Sequence, residues 1–245
     1  MDCKHIAIRS KRARSNDAYT TPGLGDRAHE VLKAHLYGKA HDCNVTLHLT
    51  KDKYGKPHKK TSWNELLTLV PNVDIEVHDV AGLEEDDWLQ YLKEKDIEAE
   101  IYHYKEVPGM TGGFEASQYF EELPCLPPPK LAQKLPIKYV TAQFDSTDLA
   151  RNSDKIRVTG FLNTFRSWGC QVVIVGGGAK KPELRDSIPH IAHAMYHADA
   201  HVGVDSGMMH LAQFYKRWEQ IHILTAQYTS HHLIRAKNYG AVLHG

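Results

Sequence analysis

The chain has 245 residues, 42% of them hydrophobic and 24% charged, with 30 basic residues balanced by 30 acidic ones. That length suffices for one large domain or two small ones with buried cores. A net charge of zero excludes a general nucleic-acid binder, which needs clustered excess Lys and Arg, and no apolar run approaches the ~18 residues of a membrane span.

The first residues lead straight into a strand without a secretory-signal pattern, and Cys3, Cys43, Cys125 and Cys170 show no Cys-x-x-Cys spacing. The expectation is therefore reduced thiols in a cytoplasmic protein rather than a zinc site or a disulfide framework. Apolar runs then alternate with helical patterns: a strand over 4–9, a helix from 26, strand 43–50, helix 62–70, strand 73–80, helix 84–95 and strand 97–104. Lys4, Arg9, Lys11, Arg12 and Arg14 surround the first strand end, either as a solvated basic loop or as contacts for an anionic ligand.

Pro124, Pro127, Pro128, Pro129 and Pro136 interrupt the pattern, because consecutive prolines continue neither a helix nor an inner strand. Beyond them come strand 137–144, a helix from about 154 to 168, strand 171–175, helix 183–197, strand 200–204, helix 207–218 and strand 221–224. Alternation of this kind predicts an α/β protein of two Rossmann-like, doubly wound parallel-sheet halves. The halves are expected over 1–122 and 137–245, with 123–136 as linker.

The most informative stretch is Val202-Gly203-Val204-Asp205-Ser206-Gly207-Met208-Met209-His210-Leu211-Ala212, an apolar strand that breaks at Asp-Ser-Gly and restarts as a helix. Free N–H groups at such a helix start suit a phosphate, and His210 lies within reach of the same anion. Upstream, strand 171–175 runs into Gly176-Gly177-Gly178, where glycines permit close approach of a ligand to the backbone. The N-terminal half adds Ile6-Ala7-Ile8-Arg9, a loop, and Gly23-Leu24-Gly25-Asp26 opening a helix.

These three elements, in this order, resemble the heptosyltransferase-like glycosyltransferase family 9, whose members have the two-domain GT-B fold with both halves facing a cleft. The resemblance is close in the C-terminal half and thin in the N-terminal half. It implies transfer of a sugar from a nucleotide-diphosphate sugar to an acceptor hydroxyl, with inversion and with no cofactor. The acceptor implied is a glycan or lipopolysaccharide precursor, a nucleic-acid base being a further possibility. Members usually run about a hundred residues longer, and the segment between Gly178 and Asp205 is expected to lack one strand and loop.

By the same resemblance Asp26 is the expected base, at a helix start whose positive dipole end keeps a carboxylate ionised; capping of its helix is the competing role. Gly25, Ser206, Gly207 and His210 are expected to hold the diphosphate, with Asp205 orienting the turn, because two negative groups repel. Lys155 and Gln143 are candidate donor contacts, Gly177 lies at the glycine turn, and Glu183 matches a ribose-binding acid of the family. Asp145 follows the same strand end as Gln143. His190, His193 and His197 share one helical face at i, i+3, i+7 spacing. No Asp, Glu or Cys completes a recognised metal spacing there, so no metal ligand is assigned.

The Trp88, Tyr91, Leu92 and the Phe161, Phe165, Trp168 clusters fit apolar helix faces packed on a sheet. Two other functions stay open on the sequence: a nucleotide- or glycan-binding module without catalysis, and a nucleotide-sugar epimerase on the same fold.

Overall fold

A computed structural model describes residues 4–8, 24–51, 65–81, 83, 85–102, 123–146, 149–227, 229, 233 and 236–245. The chain divides into two compact units, one of Met1–Gly23 with Glu30–Phe120, the other of Leu24–His29 with Glu121–Gly245.

The first unit contains β1 (Lys4–Ile8), most of α1 (Leu24–His41), β2 (Val45–Lys51), β3 (Val73–Ala81), α2 (Glu85–Lys93) and β4 (Ala99–Tyr102), while the start of α1, Leu24–His29, belongs to the second unit. The sheet order is β3-β2-β1-β4 and every pairing is parallel, as helical crossovers demand. Alternation in β2 places Val45, Leu47 and Leu49 in the core on one face, while His48 on the other face is equally buried. On the face that carries Ala7, α2 packs through Trp88 and Leu92, the apolar helix face expected from their spacing. Lys4 of the basic cluster pairs with Glu100; Arg9, Lys11, Arg12 and Arg14 lie outside the described residues.

The second unit contains β5 (Tyr139–Gln143), α3 (Lys155–Ser167), β6 (Gln171–Ile174), α4 (Pro182–Asp186), α5 (Ile188–His197), β7 (Ala200–Gly203), α6 (Gly207–Ala212), β8 (Ile221–Leu224) and β9 (Val242–His244). Its order is β6-β5-β7-β8-β9, again parallel throughout. Numbered within the unit, this is the flavodoxin-like order 2-1-3-4-5, whose chain direction reverses between β5 and β7.

Val140 and Ala142 of β5 pack with Leu162 and Phe165 of α3 on one face. From the other face the Tyr139 hydroxyl donates to the Ala194 carbonyl of α5 at 2.8 Å. Helices thus cover both faces of β5, so both sets of its alternating side chains are buried. Phe161 and Phe165 pack as expected, whereas Trp168 is more than half exposed.

In the second unit three elements depart from expectation. The helix expected over 183–197 is two helices, because Ser187 is extended (φ −106°, ψ 111°) and Pro189, in the first turn of α5, has no N–H for a continuous ladder. The helix expected over 207–218 ends at Ala212, where Gln213, Phe214 and Tyr215 bond back to the third rather than the fourth preceding carbonyl. A final strand, β9, follows the left-handed Gly240 (φ +112°) and pairs with β8.

The proline segment 123–136 has no regular structure, yet it is docked onto the second unit. Leu123 and Leu126 are buried, the Leu126 N–H donates to the Phe214 carbonyl at 2.7 Å, and His193 Nδ1 meets the Pro129 carbonyl at 3.0 Å. Cys43, Cys125 and Cys170 are free thiols. Among the described residues no helix is long and apolar enough to cross a membrane.

Candidate functional site

Parallel sheets bind ligands beyond the carboxyl ends of their strands where the order reverses, since the two flanking crossovers leave in opposite directions and open a crevice. In the second unit that position lies past Gln143 of β5 and Gly203 of β7. Gly203 is required there: a Cβ on it would stand 2.2 Å from the Gln143 carbonyl oxygen, so any side chain would force the two strand ends apart.

Past β7, the Asp205 side chain is fully buried and faces two cationic or potentially cationic groups, Arg151 Nη1 at 3.5 Å and His210 Nε2 at 3.7 Å. Ser206 follows as the extended residue before α6 (φ −152°, ψ 171°), and its side chain does not cap the helix. Its hydroxyl is buried without a hydrogen-bond partner among the described residues, as is Gln143 Oε1, while Gln143 Nε2 donates to the Asp145 carbonyl.

Gly207 opens α6 directly against the start of α1. A Cβ on Gly207 would lie 3.0 Å from the Gly25 backbone nitrogen, and one on Gly25 would lie 3.2 Å from Gly207 Cα and 3.0 Å from the His210 ring. The two glycines therefore let two helix starts touch, which brings their positive dipole ends together. The edge contact of His29 with His210, centroids 5.4 Å apart, completes the wall on the α1 side.

At the end of β6, Gly176 is left-handed (φ +74°), and a Cβ there would press on Met208 at 3.1 Å and Gln143 at 3.4 Å. Gly178 lies so close to Asp145 that a Cβ would meet its carboxylate at 2.8 Å. Gly177, the glycine singled out from the sequence, is exposed, and a Cβ on it would meet nothing within 4 Å. Asn152 knits the loop after β5 to the approach of α3, accepting from the Ser146 N–H at 2.7 Å and donating to its carbonyl at 3.2 Å.

Gly25, Gln143, Asp205, Ser206, Gly207 and His210 thus belong to one neighbourhood. Lys155 is exposed as the first residue of α3, whose N-cap is Asp154, accepting from the Arg157 N–H at 2.9 Å. Glu183 stands half-buried in the first turn of α4. Asp26 is the third residue of α1, inside the first turn rather than at the cap, and its side chain lies outside the described residues. Arg151 and His29 were not singled out from the sequence; 54 positions separate Arg151 from Asp205, and no local pattern links them.

The histidines of α5 serve separate structural contacts: His190 meets the Ser187 hydroxyl at 2.8 Å and His193 the Pro129 carbonyl. Among the described residues, metal-ligating groups come together instead at His48, Glu76 and His78.

No protein-family model matches the sequence, and no curated protein matches it either. Three solved structures illustrate its structural similarities. The iron-containing dodecameric glycosyltransferase TibC from enterotoxigenic E. coli H10407 shares 15% identity over 86% of this chain and 55% of its own, with a TM-score of 0.48. E. coli heptosyltransferase WaaC with ADP gives 12% identity, 98% and 92% coverage and 0.45. E. coli ADP-heptose lipopolysaccharide heptosyltransferase II gives 12%, 91% and 84%, and 0.44. The chain thus spans about half the length of TibC. The fold is α/β with two parallel sheets.

Proposed function

We propose that the second unit binds a nucleoside diphosphate at the reversal between β5 and β7, and that the protein is a glycosyltransferase using a nucleotide-diphosphate sugar. The observation that carries the reading is the buried, unpartnered hydroxyl of Ser206 at a strand-end crevice where two helix starts meet. A buried hydroxyl without a partner costs about 1–3 kcal/mol, which a phosphate oxygen accepting its proton relieves. The backbone N–H groups at Gly25 and Gly207 supply further donors, and His210, held against Asp205, lines the same side. Asp205 itself is turned to Arg151 and His210 and does not oppose the anion.

In the transfer, the bond between the anomeric carbon and the diphosphate oxygen breaks and the diphosphate leaves with its electron pair. The acceptor oxygen forms the new bond from the opposite face and gives its proton to the Asp26 carboxylate. Asp26 is the third residue of the 18-residue α1. Lys155 and Glu183 are proposed donor contacts, to phosphate and ribose, and Gly177 offers open backbone beside them. The acceptor is a hydroxyl of a glycan or lipopolysaccharide precursor, and the setting proposed is cytoplasmic.

The test is release of free nucleoside diphosphate from a panel of nucleotide sugars, ADP-heptose first, with candidate acceptors. A transferase releases it only with acceptor, a binding module releases none, and an epimerase changes the sugar while keeping the linkage. Asp26→Asn is expected to lower turnover about 10²-fold or more, the usual scale for removing a general base, with donor affinity retained. Undiminished turnover in that variant would remove Asp26 from the chemistry.

A further inference from the structure

The first unit carries a polar group that the transfer reaction does not use. His5 of β1, His48 of β2 and His78 of β3 lie side by side across three adjacent strands: His5 Nδ1 is 2.9 Å from His48 Nε2, and His48 Nδ1 is 2.9 Å from His78 Nε2. Glu76, two residues before His78 and therefore on the same face, is the cross-strand partner of His48. One carboxylate oxygen is 3.6 Å from His48 Nδ1 and the other 3.5 Å from His78 Nε2. Three donors, one from each of His48, Glu76 and His78, lie within 4.8 Å of one another.

We infer that His48 Nδ1, His78 Nε2 and the Glu76 carboxylate form a binding site for a divalent transition-metal cation of the zinc type, with one coordination position left for water or a ligand. Two nitrogens at about 2.0–2.1 Å from a tetrahedral ion stand roughly 3.3 Å apart, so the present 2.9 Å separation opens by a few tenths of an ångström on binding. The carboxylate distances are long for hydrogen bonds and close to the spacing of two ligands on one ion.

The surroundings match those of a built site. A ligand imidazole commonly has its second nitrogen held by another protein group; His48 has its Nε2 against His5, so with Nε2–H donating to His5 its Nδ1 lone pair is directed at the site. The Trp88 and Tyr91 rings stand edge-on to His78 at 5.2 and 5.6 Å and fix its plane. His48 is fully buried, whereas the Glu76 side chain is 55% exposed and gives the ion its path from solvent. Two imidazole ligands and one carboxylate form a nitrogen-rich set that selects zinc-like ions over magnesium or calcium.

The experiment uses the full chain, stripped with chelator and titrated with Zn²⁺ against a chromogenic competitor, with Co²⁺ as a spectroscopic probe. Wild type is expected to bind one Zn²⁺ more tightly than its remaining histidines do, to show visible Co²⁺ ligand-field absorption, and to gain thermal stability with Zn²⁺. Glu76→Gln, at an exposed position that tolerates substitution, is expected to weaken Zn²⁺ at least 10-fold, and His78→Gln at least 100-fold. The double variant His190→Gln, His197→Gln is expected to bind as wild type does. Should His78→Gln fail to fold, Glu76→Gln and the Co²⁺ spectrum decide. Absence of a tight equivalent in wild type, or unchanged affinity and spectrum in Glu76→Gln, overturns the site.

Discussion

In the first unit the polar side chains sit in mid-strand, where His5, His48, Glu76 and His78 line one face of the sheet and the three imidazoles meet in a row at hydrogen-bond distance. In the second, besides Thr141 and His201 within the strands, a polar group lies at and beyond the strand ends, where Ser206 and Gln143 keep oxygens that no described protein group satisfies. Both sheets are parallel and built from the same alternation of strand and helix. The contrast shows that fold class alone does not locate chemistry. In one sheet cross-strand register places the donors, and in the other the reversal of strand order does.

The buried imidazoles sharpen the contrast. Burial pushes His48 down to about 4, with Glu76 pulling upward and His78 and His5 downward. Burial, with Lys216 nearby, pushes His201 of β7 down to about 3. His48 has neighbours at both ring nitrogens, whereas His201 has only the Thr141 hydroxyl, 3.1 Å from Nδ1, and its Nε2 has no partner among the described residues.

The largest effect is expected at Gly203. Gly203→Val drives a side chain into the Gln143 backbone and separates β5 from β7, so urea unfolding is expected to show a loss of more than about 3 kcal/mol. A loss below about 1 kcal/mol would mean that the strand ends are not held as closely as described.

Next comes the response to acid. Between His201's ordinary 6.5 and its native value of about 3, the unfolded chain takes up a proton that the native protein refuses. Stability therefore falls as pH falls through that window, by up to about 1.4 kcal/mol per pH unit for this residue. His201→Gln, which does not titrate, is expected to flatten the slope of thermal midpoint against pH; an unchanged slope assigns the acid sensitivity elsewhere.

The order of elements was legible in the sequence because apolar runs, the proline cluster and the glycine turns are local signals. Strands at 73–80 and 221–224 lie within a residue of those observed. What escaped depends on long-range geometry or on short elements. β9 is only Val242–His244, and the early end of α6 comes from a tightening of its hydrogen bonds rather than from a breaker residue. At the site, the Asp205 to His210 turn was readable as a strand that breaks and restarts, while Arg151 and His29 reach it only through folding. His48, Glu76 and His78 required the register of β2 on β3, which alternation within either strand does not specify.

The central claim, a nucleoside diphosphate at the β5–β7 reversal, is tested most directly by calorimetric titration of ADP into wild type and Ser206→Ala. The Ser206 hydroxyl has no partner among the described residues, so its removal is expected to raise the thermal midpoint of the ligand-free protein rather than lower it. Loss of one hydrogen bond to a charged phosphate is worth about 1.5 kcal/mol or more, a roughly 10-fold weaker affinity. Equal ADP affinity in the two proteins, or no ADP binding by wild type, would contradict the account.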